Sequence, residues 1–146
     1  QMSKEADKIN REHIVIGDIK QFGIQLRQFQ PDDATAIFNL IVRNREFLSE
    51  FTKIPEKYPT LEAVSKSIIE PENPDKIRFG IWNSDDALVG SINLTPSKND
   101  KKTAEVGYYL GENFTNNGHI LKALLLVAGY AFYRGNLERL VASCIC

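Results

Sequence analysis

The spacing of apolar residues changes its period several times along the chain, and each change predicts a new element. A short apolar run at 14–16 is followed by alternating apolar and polar residues from Phe22 to Phe29, which is typical of strands. After Pro31, acidic residues precede an apolar series with helical spacing that reaches Leu48. The first third of the chain therefore predicts two strands and a helix.

A second helix and a group of strands are predicted next. Thr60 is placed to cap a helix that continues to about Ile68. Strand periods then return in segments 77–83 and 87–95, which flank an acidic turn and predict a hairpin. A further strand is predicted at 104–110.

The last predicted helix runs from about His119 to Arg134 and lies between two strands. A Gly-Asn pair ends it, and a final strand follows at 139–144. Residues 123–132 are apolar nearly all round, which predicts a heavily buried helix. A helix between two strands predicts a crossover that covers one face of a sheet.

This order of elements predicts an α/β fold with a mixed sheet of about five principal strands. The chain has 146 residues, which is enough for one domain with its own hydrophobic core. No internal repeat, low-complexity tract or linker divides the sequence, so residues 1–146 are expected to form a single domain. Residues 1–13 are polar and are expected to be disordered.

Composition and charge exclude some classes of partner. With 42% hydrophobic residues, 25% charged residues and a net charge of −1, the chain has no general attraction for nucleic acid or anionic lipid. The N-terminal segment is charged throughout and lacks the apolar centre of a signal peptide. The longest uncharged apolar run is far shorter than the ~20 residues that span a bilayer. We therefore expect a soluble, cytoplasmic protein with no nucleic acid and no membrane as a partner.

The cysteines offer little for metal chemistry. Cys144 and Cys146 lie two residues apart on a predicted strand, so their side chains share one face and are expected to be buried thiols. Neither His13 nor His119 has metal-type spacing with them. No metal site is predicted.

The segment from Ala104 to Phe132 carries the strongest functional signal. A strand reading AEVGYYL is followed by a turn rich in glycine and asparagine and then by the long apolar helix. The first N–H groups of a helix lack intrahelical partners and the helix dipole is positive there, so such a turn can bind phosphate groups. The sequence thus indicates a nucleotide-type cofactor.

This arrangement resembles the acyl-CoA loop of the GNAT N-acetyltransferases, and especially the subgroup that acts on ribosomal-protein N-termini. In that subgroup a strand similar to Ala-Glu-Ile-Gly-Tyr precedes a Gln-x-x-Gly-x-Gly/Ala turn. Three more segments are similar to the family in the same order, namely IQLRQFQPDDATAIFNLI, NREFLSEF and ALVGSINLT. The resemblance extends from about Gly23 to Cys144.

The resemblance implies a GNAT-like acyl-CoA N-acyltransferase fold, with a mixed sheet that splays between its fourth and fifth strands. Acetyl-CoA would lie in that cleft as co-substrate, and the acceptor would be a primary amine such as a protein N-terminus. The amine must be neutral to attack, so the reaction needs a base. Glu105 stands at the position of the family's strand glutamate and is the candidate catalytic base, acting through a water. The alternative is a solvated strand glutamate or an ion-pair partner.

The same resemblance assigns the contacts to acetyl-CoA. Backbone amides of the strand at 105–110 would face the pantetheine arm and the acetyl carbonyl, and residues 116–121 would surround the pyrophosphate. The candidate cofactor-binding residues are Tyr108, Tyr109, Leu110, Thr115, Asn116, Asn117, Gly118, His119, Ile120 and Leu121. Tyr108 or Tyr109 could protonate the leaving thiolate, although strand aromatics are more often core residues. The segment at 47–55 would lie on the acceptor side.

The cofactor turn departs from the family pattern. Thr115 stands where the family usually has Gln or Arg, Asn116 and Asn117 where Gly and a basic residue are common, and Ile120 where Gly or Ala is usual. Gly118 matches outright. Loss of the basic residue removes an electrostatic contact to the pyrophosphate, so weaker CoA binding is expected.

The sequence also stops after the predicted fifth strand, where family members continue through a helix and a last hairpin. The domain is therefore expected to be incomplete at its C-terminus, with an exposed edge on that strand. Pairing of the C-terminal strand with a second copy, and hence a homo-oligomer, is expected. The alternative function is a non-catalytic or inactive truncated GNAT-fold protein with weak or no CoA binding. A third interpretation is a structural or regulatory module of another fold.

Overall fold

The computed structural model describes residues 13–115 and 118–144. One mixed sheet of six strands, in the order β1 to β6, organises these residues. The strands are β1 (Val15–Ile16), β2 (Ile24–Gln28), β3 (Ile77–Asn83), β4 (Leu88–Pro96), β5 (Thr103–Leu110) and β6 (Arg139–Cys144). Neighbouring strands are antiparallel except β5 and β6, which are parallel. The α/β mixed-sheet prediction is confirmed, with the two-residue β1 added to the principal strands.

The described residues also form six α-helices. They are α1 (Ile19–Phe22), α2 (Ala34–Arg43), α3 (Arg45–Ser49), α4 (Ile54–Lys57), α5 (Leu61–Ile69) and α6 (His119–Tyr133). Short 3-10 turns occupy Pro31–Asp33 and Glu112–Phe114. α2 and α5 pack on one face of the sheet and α6 packs on the other.

The first main strand is shorter than predicted. Residues 19–22 form the one-turn helix α1, which Asp18 caps, so Phe22 belongs to a helix and not to a strand. Gly23 ends α1 with a φ of +79°, in the left-handed region that glycine adopts without a Cβ clash. β2 therefore begins only at Ile24.

Asn44 interrupts the helix that the sequence predicted to reach Leu48. The Asn44 Nδ2 donates to the Leu40 carbonyl at 2.8 Å, and its Oδ1 accepts from the Glu112 backbone N–H at 2.9 Å. This side chain ties the end of α2 to the turn that follows β5. As a result, α3 lies beside the C-terminal end of β5.

The predicted cap and hairpin turn are both confirmed. The Thr60 Oγ1 accepts from the Ala63 N–H at 3.1 Å at the start of α5. The β3–β4 turn contains Asp86 with a φ of +60°, and the Asn83 side chain accepts two backbone N–H groups within it. The sequence analysis did not predict α4, in which Pro55 occupies the first turn.

The two faces of the sheet carry separate cores. The face under α6 is formed by side chains of β2 to β5 that are almost fully buried: Ile24, Leu26, Phe79, Ile81, Ile92, Leu94, Ala104 and Val106. The opposite face lies under α2 and α5, whose buried side chains are Ala34, Ile37, Leu40, Ile41 and Val64. Strand residues alternate between these cores because successive side chains point to opposite faces.

The prediction that α6 is heavily buried is wrong for one side of the helix. Ala123, Val127 and Ala131 are 0% exposed and face the sheet. Leu125 is 66% exposed and Tyr133 is 87% exposed. The helix packs on a single sheet face, and none of the described elements covers its outer side.

Some predictions lie outside the described residues. One is the predicted disorder of the N-terminal segment, of which residues 1–12 are not described. His13, the last residue of that segment, is described, and its Nε2 lies 2.7 Å from the Gln28 carbonyl oxygen. The buried-thiol prediction also lies outside, because the side chain of Cys144 and the whole of Cys146 are not described. Within the described ranges, no three or more His, Cys, Asp or Glu side chains are grouped to hold a metal ion. None of the described helices has the length and apolar composition needed to cross a membrane.

Candidate active site

β5 contributes several of the predicted site residues, and its side chains alternate between the two cores. Ala104 and Val106 are buried under α6. Tyr109 belongs to the core under α2 and α5, so Gly107 and Glu105 lie on that same face. The candidate base therefore lies on the face that carries α2 to α5.

Strand register aligns the residues of this face in three rows. The rows are Tyr109–Ser91, Gly107–Asn93–Arg78 and Glu105–Thr95. Residues two apart on a strand are about 6.7 Å apart, so Glu105 and Tyr109 are separated by about 13 Å along β5. A proton transferred between these two ends of the face must therefore pass through water.

An apolar cavity of about 240 Å³ opens at the C-terminal end of β5. Its lining comes from α3, the segment after it, β5, and the start of α6: Phe47, Leu48, Phe51, Thr52, Tyr108, Tyr109, Leu110, Thr115 and Ile120. Phe47 and Phe51 meet edge to face with their ring centroids 5.2 Å apart, so this part of the chain presents an aromatic wall. The cavity thus brings together five predicted cofactor-binding residues with part of the predicted 47–55 segment.

β5 pairs with its parallel partner β6 over six positions, from Thr103 opposite Arg139 to Tyr108 opposite Cys144. The splay that the resemblance implies between these two strands is absent over that described stretch. The residues that follow Cys144 lie outside the described part of the chain.

Tyr109 is a buried phenol at the edge of the apolar cavity. Burial raises the pKa of Tyr109 to about 12; Arg78 and a hydrogen bond with Ser91 oppose the rise, and Tyr58 adds to it. The phenol is therefore protonated near neutral pH and can donate. Tyr108 lines the same cavity but packs against the core under α6.

The helix α6 begins with an open N-terminus. Gly118 precedes the helix with a φ of +72° and supplies no side-chain cap. A Cβ at this position would meet no atom within 4 Å, and the first N–H groups of a helix have no intrahelical partners. Asn116 and Asn117 lie outside the described residues, and so do their predicted phosphate contacts.

His119 is the first residue of α6 and stacks on Phe114, with ring centroids 6.3 Å apart. Its Nδ1 is buried and has no hydrogen-bond partner among the residues that the structure describes. Burial lowers the pKa of His119 below its ordinary value of 6.5, and the Lys122 ammonium lowers it further. A neutral imidazole with an unsatisfied nitrogen therefore lies beside the helix start.

The lowered pKa of His119 predicts a stability that depends on pH. Below about pH 6.5 the unfolded chain binds a proton that the folded chain still rejects, so the free energy of unfolding should fall as the pH drops. We expect His119→Gln to flatten this part of the profile and to leave stability above pH 7 nearly unchanged. Urea unfolding of both proteins between pH 5 and 8 measures the difference. Parallel profiles would contradict the assignment.

Glu105 lies in a second, polar cavity of about 540 Å³ on the α2–α5 face. Thr95, Lys76 and Arg78 are among its neighbours in that cavity. The Glu105 side chain is exposed and forms no ion pair within the described ranges. An exposed, unpaired carboxylate can exchange protons with solvent, which suits a base that acts through water.

Two predicted side chains, those of His119 and Leu121, line neither cavity, and several cations were missed. Leu121 is 62% exposed and points away from the apolar cavity, because it lies one helical step beyond Ile120. Lys57, Lys76 and Arg78 line the polar cavity and were not predicted. The sequence did contain a signal for two of these cations. Lys76 and Arg78 lie two residues apart at the start of a predicted strand, so their side chains are on the same face.

A known family matches nearly the whole chain. The family model for the Acetyltransferase (GNAT) domain matches residues 24–146. The chain belongs to this family. The match confirms the resemblance seen in the sequence, the N-acetyltransferase class and acetyl-CoA as co-substrate, and it does not favour the non-catalytic alternative.

Two curated relatives and two solved structures agree with this assignment. The putative ribosomal N-acetyltransferase YdaF of Bacillus subtilis is 28% identical over 126 residues, covering 83% of this chain and 68% of the relative. The ribosomal-protein-serine acetyltransferase of Escherichia coli is 25% identical over 125 residues, covering 83% of this chain and 69% of the relative.

RimL, a ribosomal L7/L12 alpha-N-protein acetyltransferase in complex with coenzyme A, has a TM-score of 0.73 at 19% identity, covering 82% of this chain and 70% of its own. The microcin C7 self-immunity acetyltransferase MccE, in complex with acetyl-CoA and AMP, has a TM-score of 0.71 at 22% identity, covering 82% and 68%. These structural likenesses confirm the GNAT fold.

The residues present fit the acyl end of acetyl-CoA and offer less to its phosphates. The apolar cavity at the end of β5 suits an acyl thioester and the arm attached to it. The open start of α6 suits a phosphate. No Lys or Arg occurs from Thr115 to Leu121, and Lys122 follows with an exposed side chain. Backbone N–H groups must therefore supply most of the phosphate contact.

Proposed function

We propose that this chain transfers the acetyl group of acetyl-CoA to the α-amino group of a protein N-terminus. The observation that carries the proposal is the apolar cavity at the C-terminal end of β5, between the aromatic wall of Phe47 and Phe51 and the start of α6. A polar cavity with an exposed carboxylate lies on the α2–α5 face of the same strand. The names of both curated relatives, which are ribosomal acetyltransferases, support a protein as the acceptor.

Binding would divide between the cavity and the start of α6. The acyl end would lie among Tyr108, Tyr109, Leu110, Thr115 and Ile120, which line the cavity. The pyrophosphate would meet the N–H groups that follow Gly118, with His119 beside it and Asn116 and Asn117 completing the turn. When bound, acetyl-CoA supplies an activated acyl group in a site from which apolar walls exclude water.

Glu105 would prepare the acceptor by removing a proton. An α-amino group has a pKa near 8, so most of it is protonated at neutral pH and cannot attack a carbonyl carbon. Glu105 takes the proton through water, because the strand places it about 13 Å from Tyr109 at the cavity edge. The exposure of Glu105 allows the proton to leave to solvent.

Tyr109 would act at the other end of the reaction. As the amine nitrogen bonds to the acyl carbon, the carbon–sulfur bond breaks and the sulfur needs a proton. Tyr109 lines the apolar cavity, and its phenol is protonated at neutral pH, as an ordinary tyrosine with a pKa near 10 would be. It can therefore donate to the leaving sulfur, with Tyr108 on the same cavity as the second candidate.

Calorimetric titration with acetyl-CoA, followed by mass spectrometry of a synthetic peptide, tests the proposed function. We expect acetyl-CoA to bind and a single acetyl group to appear on the peptide's N-terminal nitrogen. Gly118→Ala should weaken acetyl-CoA binding about tenfold, because strain in the left-handed backbone displaces the first N–H groups of α6.

Gly23→Ala is the matched control for that variant. Gly23 also has a positive φ, of +79°, and a Cβ there would contact only the end of the flexible Lys122 side chain at 3.7 Å. Both variants should destabilise the fold by about 1–2 kcal/mol, but Gly23→Ala should leave the affinity for acetyl-CoA unchanged. Absence of acetyl-CoA binding to the wild-type protein would refute the proposal.

Association through β6 and a cytoplasmic location stay predictions. β6 has β5 on one side and no described strand on the other, and Val141 is 48% exposed. Leu140, however, packs against the core under α6, so this strand is less exposed than the sequence indicated. Sedimentation analysis of the wild type and Val141→Lys would measure any self-association.

A further inference from the structure

Four cationic side chains and three carboxylates line the polar cavity: Lys57, Lys66, Lys76, Arg78, Glu70, Glu72 and Glu105. Three of the cations, Lys57, Lys76 and Arg78, lie near one another and form the cationic cluster. Lys57 forms an ion pair with Glu72 at 3.3 Å. Lys76 and Arg78 form no ion pair with a carboxylate of the described residues. The cavity lining therefore carries a small excess of positive charge, and Lys76 and Arg78 are free to pair with a ligand carboxylate.

Arg78 is held in a fixed position within this cavity. Its Nη1 donates to the Ser67 carbonyl at 3.3 Å and to the Ser67 Oγ at 3.0 Å. Its guanidinium also lies 5.7 Å from the centre of the Phe29 ring and 5.8 Å from that of Tyr58. Since Nη2 makes no hydrogen bond to the described residues, Arg78 presents preorganised donors to a ligand.

Lys76 lies near charged side chains of both signs. Burial lowers the pKa of Lys76, and Lys57 and Arg78 lower it further, whereas Glu72 and Glu105 oppose the change. Lys76 directly precedes β3, two strands away from Glu105, so their Cα atoms are separated by about 10 Å. A ligand anion between Lys76 and Arg78 would relieve this repulsion.

We infer that the acceptor is a peptide whose N-terminal residue is followed, within the next two or three residues, by an aspartate or glutamate. The amine would lie towards Tyr109 and reach Glu105 through water, and the acidic side chain would meet Arg78 and Lys76. An extended peptide advances about 3.4 Å per residue, so a carboxylate on the second or third residue lies within reach of the next row. This inference rests on the proposed function and adds a substrate class to it.

Two synthetic peptides that differ only at their second and third residues test the inference. One begins Ser-Asp-Glu and the other begins Ser-Asn-Gln, and kcat/KM for N-terminal acetylation is measured at low salt. We expect the wild type to prefer the acidic peptide about tenfold. Lys76→Gln should reduce the preference to about twofold by slowing only the acidic peptide, since one partly buried charge is lost. Lys101→Gln, in the exposed loop before β5, is the control and should keep the full preference.

A binding measurement separates this inference from the proposed function. Fluorescence anisotropy of each peptide, labelled at its C-terminus, reports binding even if neither peptide is acetylated. Failure of all acetylation would refute the proposed function, yet acidic-peptide binding that weakens with salt and with Lys76→Gln would still support the inference. If the wild type acetylated the two peptides with the same kcat/KM and bound them with the same affinity, the inference would be overturned. An equal loss for both peptides in Lys76→Gln would overturn it as well.

Discussion

Glu105→Gln should lower the rate of acetyl transfer about 10²- to 10⁴-fold near neutral pH, the range typical for loss of a general base. The amide has nearly the shape of the carboxylate but cannot accept the ammonium proton. Acetyl-CoA binding should be unchanged, because Glu105 lies in the polar cavity and not in the apolar one. Steady-state rates and calorimetric titration of the same preparations measure the two effects separately.

The pH dependence of this variant distinguishes a base from a structural residue. At pH 9 most α-amino groups are already neutral, so the deficit of Glu105→Gln should shrink as the pH rises. Glu112→Gln provides a matched control, because Glu112 is an exposed carboxylate in the turn that follows β5. If wild type and Glu105→Gln transferred acetyl groups at equal rates at pH 7, Glu105 would not be the base but a solvated strand residue.

Local signals predicted most of the fold. The hairpin was found because an acidic turn separates two strand-like segments, and the structure places β3 and β4 there. The start of α5 was found because Thr60 supplies a side-chain cap. α1 as a whole and the end of α2 were missed, since Gly23 and Asn44 act through a left-handed backbone and a contact 68 residues away. Such tertiary contacts have no counterpart in a local pattern.

The strand side of the candidate site was predictable and the acceptor side was not. Tyr108, Tyr109 and Leu110 are contiguous in sequence, so a single motif identifies them, and they line the apolar cavity together. The cationic cluster joins Lys57 at the end of α4 with two residues at the start of β3. Only the strand order brings these segments to one face. Periodicity also could not show that α6 would be covered on one side, because burial depends on which elements pack against it.

The second large effect is expected from Gly90→Ala, where β4 pairs with the end of β5. Gly90 pairs with Leu110, and a Cβ added at Gly90 would lie 2.5 Å from the Tyr109 carbonyl oxygen and 3.1 Å from the Leu110 Cα. These are backbone atoms of two residues that line the apolar cavity, so no side chain can rotate away to relieve the clash. Gly90→Ala should therefore lower the free energy of unfolding by about 3 kcal/mol, at the upper end for overpacking.

The position of this clash links stability to function. Displacement of Tyr109 and Leu110 should also weaken acetyl-CoA binding in the fraction that still folds, as calorimetry at low temperature would measure. Gly129→Ala is the control, because a Cβ there meets nothing within 4 Å and an alanine inside α6 should stabilise the helix by about 1 kcal/mol. Urea unfolding of the two variants should thus give shifts of opposite sign. If Gly90→Ala were as stable as the wild type and bound acetyl-CoA equally well, the end of β5 would have to be free to move, and the preorganised cavity on which the proposed mechanism depends would not exist.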